Sequence, residues 1–147
     1  MRDQYPFVLA LVTALCWGAA PIFGKLGVAK ADPLAGLTFR TTVVAALLLP
    51  TLLLSGKLGD LTRLTHPQML CLAAEGVLAS LIGHFAYYFA LKLGNPASIT
   101  PIAAAFPIVT VALLWGSRLQ HVNWGHGLGA ALIIAGVLVM KLWADKA

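Results

Sequence analysis

The sequence predicts an all-α integral membrane protein, a bundle of about five transmembrane helices. Three observations predict it. Of the 147 residues, 60% are hydrophobic and 10% charged, against roughly 25% charged in soluble domains. Apolar stretches of about 20 residues follow one another, the length a helix needs to cross a hydrocarbon core. Linkers of only a few residues separate them, without the alternating apolar and polar faces of a soluble core. The solvent is therefore lipid, and residues 1–147 read as one transmembrane domain.

The first span covers about residues 6–28. Pro6 suits a first helical turn, and the run from Phe7 to Val28 is too long for a signal peptide, so it is expected to be retained. Pro21 and Gly24 interrupt it. After the polar stretch Ala29-Lys30-Ala31-Asp32, Pro33 opens a second span over 33–54, with Pro50 near its end and Ser55-Gly56-Lys57 as its stop. Lys57, Asp60, Arg63 and His66 mark the longest polar stretch, the expected largest water-exposed loop. The third span, 67–93, would be about 40 Å long at 1.5 Å per residue, so it should tilt or protrude from a core of about 30 Å.

Gly94-Asn95-Pro96 is a turn. The fourth span, 96–115, carries Pro101 and Pro107, which remove backbone donors and kink a helix. Gly116 to Asn123 forms the last loop, and the fifth span covers 124–143. Trp115, Trp124 and Trp143 all fall where spans meet headgroups, the favoured place for amphipathic rings.

Composition also excludes several functions. The net charge of +5 comes from basic residues scattered singly at helix ends, which is not a phosphate-binding surface, so no nucleic-acid partner is expected. Cys16 and Cys71 have neither metal-ligand spacing nor a disulfide framework and read as small buried side chains. No metal or other cofactor is expected. Paired carboxylates, HExxH and GxSxG motifs do not occur, so the chain does not read as an enzyme.

The order of several short motifs resembles a known family. These are Trp17-Gly18 followed by Pro21 and Lys25, then Pro33 and Arg40, then Tyr87-Tyr88-Phe89-Ala90-Leu91, Gly94, Ala97 and Pro107, and finally Gly129 with Ile133-Ile134-Ala135-Gly136-Val137. Together they resemble the EamA-type five-helix domain of the drug/metabolite transporter superfamily, over essentially the whole chain. The resemblance implies half of a ten-helix inverted-repeat transporter, moving small metabolites across a membrane, typically the bacterial inner membrane. One departure is clear: family members often carry a Gly-Glu-Arg-like turn after helix four, and here Trp115-Gly116-Ser117-Arg118 has Ser117 in place of the acid.

Charges inside a bilayer cost at least about 2.5 to 3.5 kcal/mol each, so ionisable residues at span depth are functional candidates. Arg40, Glu75 and His84 qualify. Arg40 and Glu75 each fall roughly 6 to 8 Å from the midplane, in opposite halves. Arg40 is suited to neutralise an anionic group, or to snorkel to the interface. Glu75 is the one acid deep in a span; it is suited to exchange protons with substrate or water, or to make a structural ion pair. Ser80, His84 and Tyr88 form a polar stripe at i, i+4 spacing, fit to line a water-filled path or to bond between helices. Glu75 and His84, nine residues apart, fall on opposite faces of an ideal α-helix.

Trp17 lies mid-span, one turn before Pro21 and two before Lys25. The aromatic ring beside a proline-opened backbone is a candidate wall for an organic substrate, or packing alone. The candidate substrate or coupling residues are therefore Trp17, Pro21, Arg40, Glu75, His84 and Tyr88. Gly125, Gly129 and Gly136 form a smooth ridge for close helix contact.

The expected function is transport of a small metabolite or amphipathic organic solute by alternating access, with proton coupling through Glu75. The alternative is a non-transporting membrane subunit that docks a partner protein on the helix-five ridge. Five spans put the two ends of the chain on opposite sides, so a lone half reproduces an inverted pair only by inserting both ways. Arg2, Lys57, Arg63 and Arg118 on one side oppose Lys25, Lys30, Lys92, Lys141 and Lys146 on the other, a near balance that gives the positive-inside bias little to act on. An antiparallel homodimer is therefore the expected assembly, with one copy's Arg40 at the depth of the other's Glu75.

Overall fold

The computed structural model describes residues 5–118 and 120–144. Arg2 and Lys146 of the charge tally lie outside the described residues. Five helical segments are long and apolar enough to cross a membrane: Tyr5–Val28, Pro33–Leu54, His66–Leu93, Pro96–Ser117 and Trp124–Trp143. Each boundary lies within two residues of the one read from hydropathy. No strand occurs among the described residues. The chain forms two compact units, Met1–Leu93 and Gly94–Ala147.

The first unit begins with α1 (Tyr5–Val28) and α2 (Pro33–Leu54). The tight connection is set by Asp32, whose carboxylate accepts from the amides of Leu34 at 2.9 Å and Ala35 at 3.1 Å, while Pro33 occupies the first turn, where no intrahelical donor is needed. Gly56, at φ +69°, turns the chain out of α2 in a conformation that glycine adopts without strain. The polar loop that follows is not wholly irregular: it holds α3 (Leu58–Leu61) and an exposed Arg63–Asp60 ion pair at 3.2 Å, a pair that contributes little in water.

The third span is three segments in one. It starts with α4 (His66–Glu75), held by a capping box in which the Gln68 side chain accepts from the Thr65 amide at 2.8 Å. A π-helical segment, Gly76–Gly83, follows, and α5 (His84–Leu93) completes the span. The ideal helix expected here is therefore not what forms.

Buried apolar side chains are few: Val28, Leu37 and Leu91 are 1%, 3% and 0% exposed. All three sit where the end of α1, the start of α2 and the end of α5 meet, and Pro21 and Pro33 are buried with them. Glycine permits the approach. A Cβ at Gly24 would stand 3.2 Å from Leu91 Cδ1, and one at Gly36 would stand 3.2 Å from Val28 Cγ1 and 3.6 Å from a Tyr88 ring carbon. Elsewhere the large apolar side chains point outward, as a bilayer solvent requires. Cys16 and Cys71, expected as buried, are exposed free thiols, because the packed core occupies only one end of these helices.

The second unit holds α6 (Pro96–Ala103), α7 (Phe106–Ser117) and α8 (Trp124–Ala144). Asn95 caps α6 by accepting from the Ala97 amide at 2.9 Å. The fourth span breaks at Ala104 and Ala105. Pro107 has no N–H to offer the Ala103 carbonyl, and the chain tightens there to bonds from Ala105 N to Ile102 O at 3.1 Å and from Ile108 N to Ala105 O at 3.0 Å. Arg118 ends α7 at φ 54°, a left-handed cap usually given to glycine. Trp115 and Trp124 meet edge to face, ring centroids 6.5 Å apart, across the loop between α7 and α8.

Candidate functional site

A cavity of about 580 Å³ opens among α1, α2 and α5, within the usual range of small-ligand pockets, about 300–1,000 Å³. Small residues make room for it: Ala20, Gly24 and Gly27 on successive turns of α1, and the adjacent Ala35 and Gly36 in the first turn of α2. Three rings, Phe23, Phe39 and Tyr88, supply apolar and aromatic surface. Arg40 is the only charged residue among the described lining residues.

Arg40 sits about 10 Å along α2 from Pro33, at 1.5 Å per residue, so its Cα lies well inside a hydrocarbon core of about 30 Å. Its Nη1 is buried and meets no hydrogen-bond acceptor among the described residues. Burying a charged donor without an acceptor costs at least about 1–3 kcal/mol, so this atom is a locus for a ligand or partner group. Gly36 precedes Arg40 by one helical turn, and Tyr88 packs over Gly36, which sets the phenol beside the same wall as the guanidinium.

Two lysines hold this end of the unit together. Lys25 Nζ donates to Leu91 O at 2.7 Å and to Lys92 O at 3.4 Å, satisfying carbonyls that the last turn of α5 leaves without helical partners. Lys92 Nζ in turn donates to Ala31 O, at 3.0 Å, in the α1–α2 connection. Both ammonium groups therefore act on backbone, which leaves the cavity's charge to Arg40.

Of the six residues singled out from the sequence, the cavity takes Arg40 and Tyr88. Pro21 is buried beside it on α1. Trp17 is 62% exposed and does not line it; at one turn before Pro21, its ring points to the lipid-accessible surface. Glu75 is exposed and His84 half-buried, both outside the lining. Phe23, Phe39 and the two glycines Gly24 and Gly36 are site residues that charge and aromatic clustering did not reveal. The readable signal was the spacing Ala20, Gly24, Gly27, which places three small side chains on one helix face.

The π-helical segment changes the relation of Glu75 to His84. Its i→i+5 bonding lowers the turn per residue from 100° to roughly 80–85°. Nine such steps would bring the two side chains to within about 45° of each other instead of opposite faces. They stay two turns apart along the axis, so they make no direct pair. His84 Nδ1 lies 2.7 Å from Ala79 O. A carbonyl only accepts, so Nδ1 carries the hydrogen. Ser80 falls inside the π segment, so the expected Ser80–His84–Tyr88 stripe keeps its α-helical spacing only from His84 to Tyr88.

Five membrane-length apolar helices among the described residues define a multi-pass membrane protein. Residues 4–142 match the EamA-like transporter family, and the chain belongs to that family. It is 31% identical over 138 residues to a Sinorhizobium protein described as an uncharacterized transporter in the cobO 3' region, an alignment covering 91% of this chain and 94% of that protein. No solved structure matches the chain.

Proposed function

We propose that this membrane transporter carries a small organic solute across a bacterial inner membrane by alternating access, with the α1–α2–α5 cavity as the solute seat and two antiparallel copies as the working unit. The observation that carries the reading is the cavity itself: about 580 Å³, walled by rings and glycines where the ends of α1 and α5 meet the start of α2. Pliable backbone adjoins it in sequence. The π segment leads directly into α5, an interruption of the kind that alternating-access carriers use beside a solute site.

Proton coupling falls to Glu75, which ends α4 beside the π segment. The near balance of basic residues at the two ends of the spans favours insertion in both orientations, which supplies the inverted second half. Flux through vesicles reconstituted with the purified chain tests the reading. Substrate-dependent uptake above protein-free vesicles is expected, and Glu75→Gln is expected to abolish its dependence on a pH gradient. Absence of any flux for a solute that the protein demonstrably binds would favour a non-transporting subunit instead.

A further inference from the structure

The proposed seat holds one feature that transport as such does not require: a guanidinium nitrogen, Arg40 Nη1, buried without an acceptor among the described residues. The described lining of rings, glycines, alanines and Val28 contains no carboxylate. We propose that the cavity binds an organic carboxylate with an aromatic body, its oxygen accepting from Arg40 Nη1 and its ring lying among Phe23, Phe39 and Tyr88. This rests on the reading of the cavity as the solute seat.

Three physical arguments select that ligand. A guanidinium stays ionised in any protein setting and presents planar donors matched to a carboxylate. In a low-dielectric wall a cationic solute is repelled by it, and a neutral one leaves it unpaired. The volume also decides: a cavity of about 150 Å³ already holds benzene, so 580 Å³ admits a ring together with its carboxylate arm. An anionic lipid headgroup offers the same oxygen chemistry, but the apolar aromatic lining fits a compact ring better than a phosphate.

The test uses the full chain in phosphatidylcholine nanodiscs with three probes of one frame: phenylacetate, phenylacetamide and phenethylamine. Phenylacetate alone is expected to bind and to raise the thermal midpoint. Arg40→Gln is expected to weaken its affinity at least about tenfold, the scale of one lost charge-assisted bond. Gly27→Leu covers the case in which Arg40→Gln fails to fold: Gly27 lines the cavity, and a Cβ there meets nothing within 4 Å, so a larger side chain can enter the seat with the arginine retained and should weaken binding similarly.

Equal binding of the amide or the amine overturns the proposal. So does loss of phenylacetate binding in phosphatidylglycerol nanodiscs together with Arg40-dependent retention of that lipid, which would make a headgroup the occupant. A disulfide between Arg40→Cys and Glu75→Cys copies overturns it too, by making the second copy's carboxylate the counter-charge. Carboxylate binding without vesicle flux would sink the transport reading and leave this inference standing. Flux indifferent to Arg40→Gln would do the reverse.

Discussion

Lys25 Nζ lies 2.7 Å from the Leu91 carbonyl oxygen, so a side chain near the end of α1 closes the last turn of α5. Lys92 reaches from that same turn to Ala31 O at 3.0 Å. The two contacts tie the three helix ends around the cavity from opposite directions.

Replacing Lys25 by Met keeps the stem but removes the donor. A hydrogen bond from a charged group contributes about 1.5–3 kcal/mol, and partial exposure lowers that here to roughly 1–2 kcal/mol. The thermal midpoint in detergent should therefore fall by several degrees, while Lys25→Arg should recover most of the loss. An unchanged midpoint for Lys25→Met would show that the contact contributes nothing.

Gly36→Val tests the close approach of α2 to its neighbours. The added Cβ would sit 3.2 Å from Val28 Cγ1, an overpacking that typically costs about 1–3 kcal/mol. Gly18→Val on α1, where a Cβ meets nothing within 4 Å, is the matched control. Comparing the two midpoints isolates packing from the change in helix propensity, and equal shifts would refute the tight contact.

Asn123 and His126 cap α8 reciprocally. The Asn123 amide donates to His126 Nδ1 and the His126 amide to Asn123 Oδ1, both at 3.2 Å, so histidine takes the place that Glu or Gln holds in a capping box. His126→Gln should preserve slow amide exchange in the first turn of α8, whereas His126→Leu should speed it. Asn123→Ala should destabilise the helix start by about 1 kcal/mol. Indifference of exchange to all three changes would rule the cap out.

Dual insertion predicts signal from C-terminal reporters active only in the cytoplasm and from reporters active only in the periplasm. Lys57→Gln with Arg63→Gln would leave two basic residues against five on the other side, from four against five. The population should then collapse toward one orientation. A wild-type chain that lights one reporter alone contradicts the antiparallel pair.

The sequence by itself determined the five spans and most of their ends. Apolar length decides partition into lipid residue by residue, and the Asp32-Pro33, Thr65 to Gln68 and Asn95-Pro96 signals act on amides only two or three positions away. The kink at Pro107 is local for the same reason, since a missing N–H is a property of one residue. Arg40 and Tyr88 were visible as polar side chains at span depth, but not as neighbours.

Only the tertiary structure decided which candidates meet. Gly24 and Gly36 let three helix ends close around one cavity, and that closure places Arg40 and Tyr88 in its wall while leaving Trp17, Glu75 and His84 outside. The π segment likewise turns the third span by an amount that ideal spacing does not contain. Side-chain spacing along one helix fixes which residues share a face. Which faces meet depends on close packing between segments far apart in the chain, where a fraction of an ångström at a glycine is decisive.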